Sequence, residues 1–277
     1  MTEKKIRDLV SLVIIVAYKE KTSRLECAFA KEFFSTLVVR PNYSDEELGY
    51  SQTVRVLINH FNAWKICAKR ATSTIVVEAD FVPCVGFGDF PVPFSESMSS
   101  RAWGWLYSCG PTIYELIQEA DCVYARGHSA APVATIIGPE AANILCEFAE
   151  QEITEKNPYK YSYWDTYARM FLQKRGVNSY ISFRNYGEHG GIPNPEHKIA
   201  GLKSVTHRAD VLMNQLYFLP DYAHNRKIVF VKIRCFAKIK GWMRLIFFRT
   251  LEKQTLIQSS QRMDLLKFAF IRLLSRY

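Results

Sequence analysis

Two carboxylates, Glu78 and Asp80, directly follow an apolar run in the segment STIVVEADFVPC, residues 73–84. Carboxylate oxygens are hard ligands for Mg²⁺ or Mn²⁺, which commonly bind one or two of them together with the phosphates of a ligand. The preceding run has the composition of a buried strand. The pattern therefore predicts either a metal and phosphate site at the end of a strand or an ordinary surface turn.

Other side chains could take part in the same chemistry. The histidines His189, His197 and His207 could each supply a further metal ligand, although a single histidine is more often a surface or core residue. Asp165 lies among five aromatic residues in the segment YSYWDTYARMF, and such surroundings would suit it to general-base work. The alternative is that Asp165 caps a helix or accepts a structural hydrogen bond.

Strand-like and helix-like segments alternate around these residues. The strand-like segments are 9–17, 36–39, 74–77, 133–137 and 179–183, and the helix-like segments are 23–34, 51–71, 138–152 and 163–176. Strands and helices that alternate predict an α/β domain with a largely parallel sheet and a ligand at the carboxyl ends of its strands. Two segments rich in Gly and Pro, 81–100 and 185–201, are expected to be either mobile lids or long surface connections.

Composition narrows the class of protein. The chain has 277 residues, is 48% hydrophobic and contains seven cysteines, none of them in a CxxC pair. This usage predicts reduced thiols in a cytoplasmic protein without a structural zinc site. Neither a Walker-type phosphate loop nor a GxGxxG fingerprint is present in the sequence.

The net charge of +9 is concentrated in the last part of the chain. Residues 225–277 contain thirteen Lys and Arg against two acidic residues, which leaves 23 basic and 25 acidic side chains in the other 224 residues. Aromatic and aliphatic residues are interleaved with this charge, and the cations interrupt every apolar run before it reaches the length needed to cross a bilayer. A helix there would place Lys227, Arg234 and Lys238 on one face.

This distribution predicts two parts, a domain at 1–224 and a basic, aromatic, helical extension at 225–277. The composition of the extension suits the surface of an anionic membrane. The alternatives are a helical layer that covers the core or an oligomer interface and, ranked third, a nucleic-acid contact, for which no recognition motif is present.

The order of the segments resembles glycosyltransferase family 25, the lipopolysaccharide-biosynthesis sugar transferases, over residues 10–210. The run LINHFNAWKICAKRATSTIVVEADFVPC is similar to a region of that family in which a helix with a histidine, here His60, precedes a strand ending in an acidic triplet. The segment VIIVAY with Arg24 downstream is similar to the opening strand and arginine of the family. ATIIGPEAANILCEF is similar to a later strand and helix, and Asp165 follows in the expected place.

The resemblance implies a GT-A-like, Rossmann-type fold that binds a nucleotide-diphosphate-sugar donor with the help of Mn²⁺ or Mg²⁺. It implies that Asp80 is the leading metal ligand and that Glu78 contacts the metal, its bound water or the donor ribose. Arg24 and His60 would lie on the donor side, and Asp165 would be the base that deprotonates the acceptor hydroxyl in an inverting reaction. The middle position of the triplet is Ala79 instead of an acid, which points to His207 or His189 as a further metal ligand.

These expectations combine into a sugar transferase that extends a bacterial surface glycan, with a glycan or lipid-linked glycan as acceptor. Its predicted location is the inner face of the cytoplasmic membrane, to which the extension would attach it, and an oligomer is compatible with the sequence. One alternative is a noncatalytic protein that binds membranes or nucleic acid. The other is a metal-dependent nucleotidyl- or phosphotransferase that uses the same carboxylates.

Overall fold

The computed structural model describes residues 4–119, 122–192 and 207–277. An eight-stranded sheet with the order β2-β1-β3-β8-β5-β9-β7-β6 forms its centre, and β4 and β10 form a separate two-stranded sheet. The strands are β1 Leu12–Val16, β2 Ser35–Val39, β3 Thr74–Glu78, β4 Phe81–Pro83, β5 Ala102–Trp105, β6 Thr112–Glu119, β7 Cys122–His128, β8 Ala134–Ile137, β9 Asn178–Ile181 and β10 Gly187–His189.

The central sheet is mixed, and most of its strands run in the same direction. β1 pairs in parallel with β2 and β3, and β5 pairs in parallel with β9. β8 is antiparallel to both β3 and β5, and β7 is antiparallel to β9 and β6. Six of the eight strands therefore point the same way, which confirms the predicted α/β class.

Helices flank this sheet and form the C-terminal part. They are α1 Ile6–Leu9, α2 Ser23–Lys31, α3 Asp45–Leu48, α4 Gln52–Cys67, α5 Pro139–Glu155, α6 Trp164–Lys174, α7 Lys227–Ile246, α8 Lys253–Gln258 and α9 Arg262–Leu273. Local signals explain several of their ends. The Ser51 hydroxyl accepts a hydrogen bond from the backbone N–H of Val54 at the start of α4, Pro139 opens α5, and Gly176 adopts a positive φ of 73° just after α6.

The strand side chains alternate between two hydrophobic cores, one on each face of the sheet. In β1, Val13 and Ile15 belong to one core, whereas Ile14 and Val16 belong to the other. The second core is completed by α4, α5 and α6, with Trp64 and Trp164 in contact at a ring distance of 6.0 Å. Because both faces are covered, these strands read as continuous apolar runs in the sequence.

The segment 81–100 is neither a lid nor a surface connection, so both expectations for it are wrong. It contains β4 and two short 3₁₀ turns, Phe87–Asp89 and Glu96–Met98, and most of its aromatic residues are buried. Phe81 and Phe87 pack against Phe29 from α2, with Phe29 and Phe87 at a ring distance of 5.3 Å. The apolar contacts of these rings outweigh the Gly and Pro content from which exposure was inferred.

The second predicted loop is described only in part, since residues 193–206, which include His197, lie outside the described residues. The strands β5, β6 and β7 have no counterpart in the sequence prediction. β6 and β7 form a hairpin at one edge of the sheet, and α9 packs on it through Leu265 and Ala269. Within the described ranges, no helix has both the length and the apolar content needed to cross a membrane.

Candidate active site

A cleft of about 740 Å³ lies where β1 and β3 end and the antiparallel β8 begins. Its floor follows from the strand register, because Val16 of β1 is paired with Glu78 of β3 and the backbone N–H of Ala79 donates to the carbonyl of Val16. The carboxyl ends of neighbouring parallel strands therefore meet at one edge, as the sequence predicted. Four carboxylates line this cleft: Glu20, Glu78, Asp80 and Asp165.

Glu78 is held from behind by a histidine of α4. His60 is almost completely buried, and its Nε2 lies 3.2 Å from Oε1 of Glu78. The imidazole also contacts Trp64 and Trp164, with ring distances of 5.7 and 5.2 Å. Since its position is fixed by this packing, His60 orients the carboxylate of Glu78 at the cleft.

Asp80 is paired with a histidine from a distant part of the chain. β10 runs antiparallel to β4 and places His189 opposite Phe81, and Nε2 of His189 lies 3.0 Å from Oδ2 of Asp80. Glu78, Asp80 and His189 each offer one ligand atom, and these atoms all lie within 4.8 Å of one another. The two-stranded sheet of β4 and β10 thus brings His189 to Glu78 and Asp80, from which it is more than a hundred positions distant in the sequence.

Charge couples the two members of this pair. Burial opposes the ionised form of Asp80, but the charge and hydrogen bond of His189, helped by the Arg208 guanidinium, hold the pKa of Asp80 below its usual range. Burial would lower the pKa of His189, but Asp80 and then Glu78 outweigh this and raise the pKa of the imidazole. These surroundings therefore favour the ionised form of Asp80 and the protonated form of His189.

The donor set of this cluster fits a divalent cation. Oδ1 of Asp80 and Nδ1 of His189 are buried and have no hydrogen-bond partner among the described residues, although buried polar atoms are nearly always paired. Gly191 approaches so closely that a Cβ at that position would lie 1.9 Å from Oδ2 of Asp80. The unsatisfied Oδ1 of Asp80 and Nδ1 of His189 are atoms that a bound cation could use as ligands.

Arg208 fixes the backbone around this cluster. Its Nη2 donates to the carbonyl of Gly191 at 2.8 Å, and its Nη1 donates to the carbonyl of His189. The guanidinium also stacks over the ring of Tyr222, 3.9 Å from the centroid. Arg208 thus joins three parts of the chain on one side of the cleft and contributes positive charge to it.

Asp165 lies in the first turn of α6 and lines the same cleft. Its Oδ2 accepts a hydrogen bond from the backbone N–H of Ala131 at 3.1 Å, and its Oδ1 accepts one from that of Thr166 at 2.8 Å. The carboxylate therefore anchors α6 to the loop before β8. These bonds agree with the alternative expectation for Asp165, a structural hydrogen-bond acceptor, and its role as a general base stays a prediction.

Of the other predicted residues, His207 lies at the cleft and Arg24 does not. His207 lines the cleft, but its Nδ1 lies 3.2 Å from Sγ of Cys109, and the histidine in the carboxylate cluster is His189. Arg24 is not brought to the cleft: its guanidinium donates to the carbonyl of Leu219 at 2.9 Å and stacks over Phe218. Among the predicted residues, the fold brings Asp80 into contact with His189 at 3.0 Å and Glu78 into contact with His60 at 3.2 Å.

Other cleft residues were missed by sequence reasoning. Tyr18 and Tyr43 form an aromatic pair with a ring distance of 5.4 Å at the β1 end. Asn59 is nearly buried beside them and donates to the carbonyl of Ala17, while its Oδ1 has no partner among the described residues. Asn59 could have been noticed because it lies one residue before His60 in α4. Nothing in the sequence indicates that Asn59 and Tyr43 line the same cleft.

Comparison with known proteins adds little to this geometry. No family model matches the sequence, and no curated protein matches it either. Among solved structures, the chain is similar to the CTP:phosphocholine cytidylyltransferase from Streptococcus pneumoniae, with 12% identity and a TM-score of 0.34 over 63% of this chain and 89% of that one. A likeness this distant carries no argument about activity.

Proposed function

We propose that this protein is a divalent-metal-dependent transferase that acts on a nucleotide-activated donor. One observation carries the proposal: Glu78, Asp80 and His189 converge at the carboxyl ends of the strands, in a large cleft, with an Asp80 oxygen that has no partner among the described residues. Ligands of open α/β sheets bind at this edge.

The ligand types are compatible with Mn²⁺ or Mg²⁺. The two carboxylates suit both cations, and Mn²⁺, as a transition metal, also accepts an imidazole nitrogen. When bound, the cation would neutralise phosphate charge and stabilise a departing phosphate group. Glu78, Asp80 and His189 would hold it, and His60 would keep Glu78 in position.

Charge balance supports a metal-assisted mode of phosphate binding. The cleft is lined by four carboxylates, whereas Arg208 is the one Lys or Arg among its described lining residues. A nucleotide diphosphate would be repelled by this surface without a cation. Arg208 and the cation together would provide the positive charge that the phosphates need.

Glycosyl transfer is the finer form of the proposal that the residue pattern suggests. The resemblance to glycosyltransferase family 25 supports a nucleotide-diphosphate-sugar donor and a glycan or lipid-linked acceptor, with inversion at the anomeric carbon. The rings of Tyr18 and Tyr43 would offer a stacking surface for the base, and Asp165 would accept the proton of the acceptor hydroxyl.

Nucleotidyl transfer is the second candidate, and Asp165 is the residue that favours it. Both carboxylate oxygens of Asp165 accept backbone N–H bonds, which suits an anchor better than a base that must receive a proton. A phosphorylated acceptor is already ionised and needs no base. The same Glu78, Asp80 and His189 cluster would then hold the cation for a nucleoside triphosphate.

A thermal-shift screen tests the shared proposal. Purified protein is heated with nucleoside di- and triphosphates and with nucleotide-sugars, each with and without Mn²⁺. We expect a rise in melting temperature that requires both nucleotide and Mn²⁺, since a ligand at 100 times its Kd stabilises by about 2.7 kcal/mol. The variant Asp80→Asn should lose this rise, whereas Glu155→Gln, an exposed acid elsewhere, should keep it.

Product analysis then separates the two forms. A sugar transferase releases nucleoside diphosphate, and a nucleotidyltransferase releases pyrophosphate.

The thermal-shift screen can also contradict the proposal. If every nucleotide leaves the melting temperature of the wild type unchanged in Mn²⁺, or if Asp80→Asn responds like the wild type, the proposed site is wrong.

A further inference from the structure

The outer face of the C-terminal helices carries a stripe of apolar side chains. On α7 its members are three to five residues apart, which places them along one side of the helix. Ile228, Phe236 and Ile239 are 76%, 68% and 61% exposed. The other exposed apolar residues of this helix are Val231, Met243 and Ile246.

A second exposed stripe on α9 continues the first. Met263, Phe270 and Leu274 are exposed on this helix. Trp242 of α7 contacts Phe270 at a ring distance of 5.5 Å, so the two stripes adjoin. We call their combined surface, residues 228–246 and 263–274 on the outer side, the outer face. Contiguous apolar surface of this kind marks an interaction site, unlike scattered single residues.

Cations surround and interrupt the outer face. The exposed Lys and Arg residues of this part of the chain are Arg226, Lys227, Lys232, Arg249, Arg262, Lys267 and Arg276. Other cations face inwards: Arg234 binds Glu188 at 2.8 Å, and Arg272 binds Asp210. The sequence grouping of Lys227 with Arg234 and Lys238 therefore does not describe the outer surface, because Arg234 and Lys238 both bond to the protein itself.

We infer that the outer face docks on an anionic lipid bilayer, with α7 and α9 lying in the plane of the membrane surface. An amphipathic helix of this type buries its apolar side at the boundary between headgroups and acyl chains, while Lys and Arg remain with the anionic headgroups. Each nearby cation strengthens the attraction to anionic lipid. This inference does not depend on the proposed function.

The position of Lys232 distinguishes a bilayer from a protein partner. Lys232 lies one turn from Ile228 and one turn from Phe236, within the apolar stripe. In an apolar protein interface its ammonium would be buried, which is costly unless the partner supplies an acidic group opposite it. A second copy of the chain would bring like charges together. At a bilayer, the lysine side chain can extend to the headgroup level while its neighbours are inserted.

The amino end of α7 also lies beside the cleft. Tyr222, five residues before the helix, contacts Arg208 of the cleft wall.

Site-specific fluorescence tests this inference with a control inside the chain. Cys235 lies on the outer face and Cys27 on α2, and both thiols are free and exposed. Each is labelled alone with an environment-sensitive dye, in Cys27→Ser and Cys235→Ser backgrounds, and mixed with vesicles of phosphatidylcholine with 30% phosphatidylglycerol or of phosphatidylcholine alone. We expect a blue shift from the dye at Cys235 with the anionic vesicles only, and no shift from the dye at Cys27.

Vesicle sedimentation of unlabelled variants gives the second measurement. The pair Phe236→Asn and Ile239→Asn should abolish binding, whereas Phe33→Asn, which changes an exposed aromatic residue far from the outer face, should not. Lys232→Gln with Lys267→Gln should weaken partitioning about 25-fold, since each cation contributes about fivefold, whereas Lys69→Gln should have no effect. Equal binding to neutral vesicles, absence of binding, or a Cys235 shift produced by self-association without lipid would each overturn the inference.

Discussion

Two aspartates, the half-buried Asp80 and the buried Asp210, have opposite surroundings. Oδ1 of Asp80 has no hydrogen-bond partner among the described residues. Asp210 has its oxygens filled, because it accepts bonds from Arg272, from the side-chain amide of Asn185 at 3.1 Å and from the backbone N–H of Val211 at 2.9 Å. The comparison teaches that the chain itself satisfies the carboxylate of Asp210, whereas it leaves an oxygen of Asp80 available for the proposed cation.

The segment 207–212 joins these two sites. On one side, Arg208 holds the carbonyls of His189 and Gly191. On the other side, Asp210 binds Arg272 of α9, and α7 passes so close at Gly241 that a Cβ there would lie 2.9 Å from Cβ of Asp210. The C-terminal helices therefore support the cleft wall from behind.

Replacement of Arg272 should have the largest effect on the folded state. Arg272→Met leaves the buried Asp210 carboxylate without its cation, and breaking a buried pair in this way costs about 3–5 kcal/mol. Urea unfolding measures the loss. Arg276→Met, which changes an exposed residue, is the control and should stay within about 0.5 kcal/mol of the wild type. A loss below that size for Arg272→Met would show that the two aspartates are not as different as proposed.

The variant Gly191→Ala should affect the site around Asp80. The added Cβ would meet Oδ2 of Asp80, so the carboxylate must move away from His189. We expect Mn²⁺ affinity to fall at least about tenfold, the size of effect seen when a ligand's support is disturbed, with a smaller change in stability. Isothermal titration with Mn²⁺ measures it. Gly49→Ala, at a distant helix end, should leave the affinity unchanged, and an equal loss in both variants would count against the site.

His60 should show a smaller effect of the same kind. His60→Phe keeps a ring against Trp64 and Trp164 but removes the contact with Glu78. The affinity for Mn²⁺ should fall about tenfold, and His60→Gln, which can still donate to Glu78, should recover part of the loss. If both variants bind Mn²⁺ like the wild type, Glu78 does not need its supporting histidine.

The contribution of the Asp210 charge to the free energy of unfolding should be measurable at acid pH. Burial opposes its charge, but Arg272 outweighs burial and holds the pKa of Asp210 below its usual range. Its stabilising effect is therefore fully present above the unfolded value of about 3.9 and is lost as the pH falls through the lower folded value. We expect the free energy of unfolding to fall more steeply below pH 4 in the wild type than in Asp210→Asn. Parallel pH curves would contradict this assignment.

The sequence allowed the parts of the fold that depend on local signals to be predicted. β1, β3, α4 and α5 were correctly placed by their apolar runs and by Pro139. The hairpin β6–β7 was missed because its strands face the core on one side only, and the burial of 81–100 was missed because aromatic packing is a long-range effect.

The candidate site, like the fold, was predictable only where it depends on residues that are close together in the sequence. Glu78 and Asp80 stand together in the sequence, so their proximity is local. The partnership of Asp80 with His189 depends on the register of β4 with β10, which no spacing in the sequence reveals. For that reason the sequence could offer three histidines as ligands but could not select His189 among them.

The pairing of Asp210 with Arg272 has a consequence for synthesis of the chain. The two residues are 62 positions apart, and a ribosome that adds about 5–20 residues per second makes the second one roughly 3–12 seconds after the first. During that interval the nascent chain holds Asp210 without its counter-ion. The wall of the cleft can therefore reach its final form only after α9 has emerged from the ribosome.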